Sequence, residues 1–167
     1  GENDCLPFVA THQVELIESL EEKVELFEAK VLERVQLRPA YTCLLTLPGV
    51  GVILALTIML ETGAIGRFET VGDYTSYCRC VRAKHTSNGK KKGDNNKRNG
   101  NAYLSWAFVE AVHHAIRCCP AAKRFYDKKA AQRNGALATK ALAAKWSKAA
   151  YYMLKRQEPF DLKRVFG

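Results

Sequence analysis

The chain has 167 residues, 47% of them hydrophobic, and a mean hydropathy of −0.23. These values exclude disorder as the default and allow one ordinary domain with a real core plus a smaller appendage. The net charge of +9 points toward a polyanionic partner, and it is unevenly spread: Gly1 to Arg38 hold nine acids and four bases for −5, whereas Pro39 to Gly167 hold eight acids and 22 bases for +14.

Two parts are therefore expected, residues 1–38 and residues 39–167. In the first, Ile17, Leu20, Val24, Phe27 and Val31 recur at helical spacing from about Val14 to Val35, with Glu15, Glu18, Glu21, Glu22 and Glu25 on the other faces. This pattern describes an acidic helix with one narrow apolar seam, too small to be stable alone. A coiled-coil arm that joins copies of the chain into a homo-oligomer is the favoured reading.

Pro39 breaks that pattern. Tyr41 to Gly63 then reads as helix, Pro48-Gly-Val-Gly51 hairpin and helix, with Gly63 as the stop. The hairpin matches a helix-hairpin-helix element, in which Gly49 and Gly51 let backbone N–H groups approach a nucleic-acid phosphate; an ordinary tight connection is the alternative. The apolar run from Val50 to Leu60 carries Gly51 and Thr57 and is too short to span a bilayer, and nothing near Gly1 resembles a signal peptide. The protein reads as soluble and cytoplasmic, with no membrane partner.

A short helix is expected from Val71 to Tyr77, and Cys78 to Val81 either continue it or begin an extended piece. From Arg79 to Asn101 apolar periodicity vanishes and a basic loop is expected, His85 to Asn101 being punctuated by glycines. Arg79, Lys84, Lys90, Lys91, Lys92, Lys97, Arg98 and Asn101 are its candidate nucleic-acid contacts, supplying affinity without sequence preference. Ser87 is the candidate nucleophile, because a hydroxyl among backbone donors and cations can attack phosphorus while the developing charge is neutralised. A solvated surface loop with an inert serine is the opposing reading.

Helix resumes at Ala102 and runs to about Cys119, where Pro120 ends it. A basic helix follows to Asn134, and a last one spans roughly Leu137 to Arg156 before Pro159 closes the regular structure. Tyr103, Trp106 and Phe108 on one of these helices, and Trp146, Tyr151 and Tyr152 on another, are spaced for core packing rather than for stacking on bases. The six cysteines lack the paired spacing of a zinc ribbon or a disulfide scaffold, so no metal site is expected. The fold class is mainly α: a coiled-coil helix followed by a compact helical domain.

Several motifs in one order resemble the transposases of the insertion sequence one-hundred-and-ten family, related to the pilin-gene-inverting recombinases. They are Leu47-Pro-Gly-Val-Gly51, Ile65-Gly-Arg-Phe68 with Tyr74-Thr-Ser-Tyr77, Ser87-Asn-Gly-Lys90, Asn99-Gly-Asn-Ala-Tyr-Leu104 with Phe108-Val-Glu110, and Tyr152-Met-Leu154 with Pro159-Phe-Asp161. The resemblance covers roughly Leu44 to Gly167. It implies a C-terminal transposase domain behind a coiled coil, with Ser87 forming a covalent phosphoserine link to DNA. It also implies a structured guide RNA, a nucleoid-associated bacterial or archaeal protein, and an N-terminal RuvC-like domain that binds Mg2+ and lies outside this chain. The chain is expected to be a piece of that enzyme, holding no cofactor itself and unable to transpose alone. The alternative is a non-catalytic helix-hairpin-helix module that binds nucleic acid.

Overall fold

The computed structural model describes residues 5–35, 38–81, 84–87, 90–94 and 99–167, with 84–87 and 90–94 described through their backbone only. The chain divides into two compact units, Gly1–Arg38 and Pro39–Gly167. The first is one helix, α1 (Cys5–Val35). It begins at Cys5 rather than near Val14, since Pro7 falls in the first turn, where a missing N–H is tolerated. The seam residues Ile17, Leu20, Val24, Phe27 and Val31 are all exposed.

The second unit is mainly α. Its elements are α2 (Pro39–Leu45), α3 (Val52–Thr62), a 3-10 turn (Ile65–Arg67), α4 (Val71–Tyr77), β1 (Lys84–Ser87), β2 (Lys90–Asp94), α5 (Ala102–Cys118), α6 (Pro120–Gln132), α7 (Gly135–Arg156) and α8 (Leu162–Phe166). The long helix α7 is the hub and packs against α2, α4, α5 and α6, while α3 lies between α2 and α5. Its buried face alternates Ala138, Ala143 and Ala150 with Leu142, Trp146 and Leu154, so small side chains admit neighbouring helices and large ones fill the gaps.

An aromatic cluster fastens the short elements to this hub. The fully buried Tyr74 of α4 packs edge-on against Phe68 and Phe108 and tilts onto Tyr151 of α7. Its hydroxyl shares a 2.9 Å hydrogen bond with Thr62 at the end of α3, and burial holds the phenol well above its ordinary pKa. Tyr151 in turn donates from its hydroxyl to the carbonyls of Phe68 and Glu69, each at 3.3 Å. α4 starts at a capping box, Thr70 with Asp73, and these hydrogen bonds hold the Asp73 carboxyl below its usual range.

Two expectations need correction. The segment from Arg79 to Asn101 is not loop throughout, because β1 and β2 pair antiparallel with Ser87 opposite Lys90. That register leaves a two-residue connection of sequence Asn88-Gly89, the pair most favoured by tight hairpins, and backbone pairing needs no apolar periodicity. As expected, the helix from Ala102 ends at Cys118 before Pro120, whose ring fits the first position of the basic helix α6 that follows. Pro159, by contrast, does not close the regular structure, since Asp161 accepts from the backbone N–H groups of Lys163 and Arg164 and nucleates α8.

Candidate nucleic-acid interface and serine hairpin

The hairpin that carries Ser87 leaves and rejoins the helical body at one place. Cys78 ends α4, and Arg79 follows at φ 56°, a left-handed conformation that costs a non-glycine residue on the order of 1 kcal/mol. Its backbone N–H bonds the carbonyl of Ser76 at 2.9 Å, and its guanidinium reaches across to the carbonyl of Gly100 at 2.8 Å. On the returning side, the Asn101 N–H donates to the carbonyl of Tyr77 at 2.7 Å. Gly100 has φ 95°, and a Cβ there would lie 2.5 Å from the Tyr77 carbonyl oxygen, so only glycine lets the two strands of this neck come so close.

Asn101 locks the neck to two helices. Its side-chain oxygen caps α5 by accepting from the Leu104 N–H at 2.9 Å, and its amide donates to Glu61 of α3 at 2.5 Å and to the Tyr77 hydroxyl at 3.5 Å. The bond from Asn101, followed by one from Arg67, lowers the Tyr77 phenol below its ordinary pKa. Arg67 also lies over the rings of Phe68 and Tyr77, at 4.5 and 4.7 Å from their centroids. Asn101, predicted as a nucleic-acid contact, is thus occupied with structure, and Arg79 uses its guanidinium across the neck.

A substitution at Asn101 therefore has a defined outcome. Asn101→Ala removes the cap and is expected to destabilise the folded unit by about 1–2 kcal/mol. Asn101→Asp keeps a good cap but sets a carboxylate against Glu61, so it should also destabilise, and more at neutral than at acidic pH. Urea denaturation of the three proteins at two pH values checks both. Equal stability of Asn101→Asp and the parent at neutral pH would contradict the Glu61 contact.

The predicted lysines divide by location. Lys84 lies on β1 with Ser87, whereas Lys90, Lys91 and Lys92 follow on β2. Lys97 and Arg98 lie outside the described residues, as do the side chains of Ser87 and of the four strand lysines. Neighbouring thiols are poor rivals to Ser87 as a nucleophile, since burial raises the Cys78 thiol strongly and pushes Cys80 up to about 11. All six cysteines are free.

The Pro48 to Gly51 turn splits into an inner and an outer half. Gly49 has φ 81° and is pressed onto α5, where a Cβ would meet the Ala111 carbonyl oxygen and come within 2.6 Å of the Ala115 nitrogen. The buried indole of Trp146 donates to the Pro48 carbonyl at 2.9 Å. Gly51 is different: it is exposed, nothing lies within 4 Å of its Cβ position, and it opens α3 with no side-chain cap. Of the two glycines, only Gly51 is at a helix N-terminus open to an anion.

The aromatic residues also divide. Phe108, Trp146 and Tyr151 are buried as expected, but Tyr103, Trp106 and Tyr152 are exposed by 65%, 48% and 43%. On α5 the buried face is Leu104, Ala107, Phe108, Ala111, Val112 and Ala115, which turns Tyr103 and Trp106 outward. A separate groove of about 370 Å3 runs between α7 and the C-terminal segment past Lys148, Tyr152, Arg156 and Phe160. None of the predicted site residues lines it, and its carboxylates Glu158 and Asp161 are engaged by Arg164 at 2.6 and 3.3 Å.

Residues 41–127, just over half of the chain, match the Transposase IS116/IS110/IS902 family. The chain belongs to this transposase family. The matched span runs from α2 into α6 and includes the Pro48 turn, the neck, Ser87 and the exposed pair on α5. The insertion element IS110 uncharacterized 43.6 kDa protein of Streptomyces coelicolor is similar, at 25% identity over 114 residues. That alignment takes in 68% of this transposase-family chain and 28% of the relative, so the chain spans well under half of that protein's length. Among the described residues no helix is long and apolar enough to cross a membrane, and no group of three His, Cys, Asp or Glu side chains is placed to hold a metal ion.

Proposed function

We propose that this chain is the C-terminal part of an RNA-guided DNA transposase, akin to the pilin-gene-inverting recombinases, and that Ser87 is its nucleophile. The observation that carries this reading is the serine hairpin, closed at its neck and set in a unit of net charge +14 that belongs to a transposase family. A hydroxyl on such a hairpin is positioned by backbone pairing while nearby cations neutralise the phosphodiester. The Ser87 oxygen attacks phosphorus and forms a serine–phosphate bond, and the bond from phosphorus to one deoxyribose oxygen breaks. That oxygen takes up the proton which serine gives up. A hydroxyl of the second strand then attacks the same phosphorus, and serine leaves with its proton restored.

Among the described residues no group of three His, Cys, Asp or Glu side chains is placed to hold a magnesium ion. In this proposal the Mg2+ belongs to a RuvC-like domain elsewhere in the full-length enzyme, and α1 forms a coiled coil that brings copies together. Partners are DNA and a structured guide RNA, in the bacterial or archaeal nucleoid. A second reading, favoured by the open N-terminus of α3 at Gly51, is a helix-hairpin-helix module that grips nucleic acid without chemistry.

Both readings require a polyanion-binding surface, which this chain alone tests. Binding to a fluorescently tagged DNA should fall steeply with salt. Replacing Lys90, Lys91 and Lys92 with alanine should weaken it and flatten the logarithmic salt slope by about three, roughly one per lost phosphate contact. An unchanged slope would remove these lysines from the interface.

A further inference from the structure

We propose that Tyr103 and Trp106 form a stacking platform for unpaired bases of the nucleic acid strand that the serine hairpin engages. The inference rests on the nucleic-acid-binding reading above and adds to it the place where bases, rather than phosphates, are held. Two large aromatic rings stand 65% and 48% exposed on the first turns of α5, while the opposite face of that helix fills the core. They are three residues apart, which makes them neighbours on one helical surface. The buried face of that helix is made by Leu104, Ala107, Phe108, Ala111, Val112 and Ala115 instead.

Their position connects them to the hairpin. The neck closes at Gly100 and Asn101, and Asn101 caps α5, so the platform begins with Tyr103, two residues beyond the point where the hairpin joins the body. The segment between the two sides of the neck carries Lys84, Lys90, Lys91, Lys92, Lys97 and Arg98 and supplies the positive charge that a polyanion requires. A cation-rich segment that leads in sequence into a helix with exposed aromatic rings suits a single strand, whose backbone is neutralised by charge while its bases stack. A protein partner would bring its own apolar surface to these rings but has no need of the cations that precede them in the chain. The charge therefore selects a single-stranded nucleic acid as the occupant.

The chain provides its own reporter. It has two tryptophans, and Trp146 is fully buried with its indole N–H on the Pro48 carbonyl, so a change in indole emission on ligand binding reports on Trp106. The intact chain is titrated with single-stranded oligothymidylate, with an abasic strand of the same length, and with polyglutamate, while anisotropy of a strand-borne dye measures binding separately. Oligothymidylate is expected to quench the emission and to bind about ten-fold more tightly than the abasic strand. Trp106→Ala should lose about that factor on oligothymidylate and nothing on the abasic strand, and Trp106→Phe should recover most of it. Binding of oligothymidylate with unaltered emission and no loss in Trp106→Ala overturns the platform and leaves nucleic-acid binding standing. Quenching of equal size by the abasic strand or by polyglutamate also overturns it, and no binding of any strand removes both readings.

Discussion

Strand exchange by the full-length enzyme is expected to fall by about three orders of magnitude or more when Ser87 is replaced by alanine, with DNA affinity nearly unchanged. The separation follows from where the residue lies. Ser87 pairs with Lys90 through the backbone, so the pairing survives loss of a side-chain oxygen, and alanine leaves the charge of the segment as it was. A residue that only bound phosphate would show the reverse, weaker affinity with proportionate loss of turnover. Ser87→Cys keeps a nucleophile of different size and acidity and should retain trace covalent capture of DNA, visible as a denaturant-resistant protein–DNA band. Exchange at the parental rate by Ser87→Ala would eliminate the nucleophile assignment and leave the second, non-catalytic reading.

The second large effect is on stability. Gly49→Ala is expected to destabilise the Pro39–Gly167 unit by about 3 kcal/mol, read as a lower urea midpoint with an unchanged slope. Two penalties add. The backbone is at φ 81°, which a side chain disfavours, and the new methyl would drive into the peptide backbone of α5 at Ala111 and Ala115, which cannot swing aside as a side-chain tip would. Gly51→Ala is the matched control, two residues away with open space at its Cβ position, and should lose well under half as much. Similar losses for both would mean that the turn does not rest on α5 in the way its geometry indicates.

These two glycines also mark where sequence reading reaches its limit. The helix, turn and helix around them were legible, because Pro39, Gly63 and the apolar spacing are local signals, and the same is true of α4, α5 and α7. What each glycine is for was not legible. The reason for Gly49 lies in α5, and the turn is pinned by Trp146, 98 positions away from Pro48. Asn101 is a similar case: as a polar residue in a basic stretch it reads as a phosphate contact, yet its partner Glu61 is 40 positions away. The hairpin was missed for a different reason. Asn88-Gly89 is a strong turn signal, but without alternating apolar residues around it the eye passes to the charge. For α5 the aromatic spacing was visible, and only the packing of Leu104, Phe108 and Val112 decides that Tyr103 and Trp106 face outward.

The neck at Tyr77, Arg79, Gly100 and Asn101 has a consequence for how such proteins diversify. Its bonds close a ring whose near side rests on the helices, with Cys80 against Ser147 of α7, and whose strands β1 and β2 pair with each other. Insertions and deletions at the turn between those strands carry a loop-closure entropy that grows slowly with length, roughly 0.6 kcal/mol for each doubling. Recognition can therefore drift or be transplanted between relatives while the scaffold beneath is inherited intact.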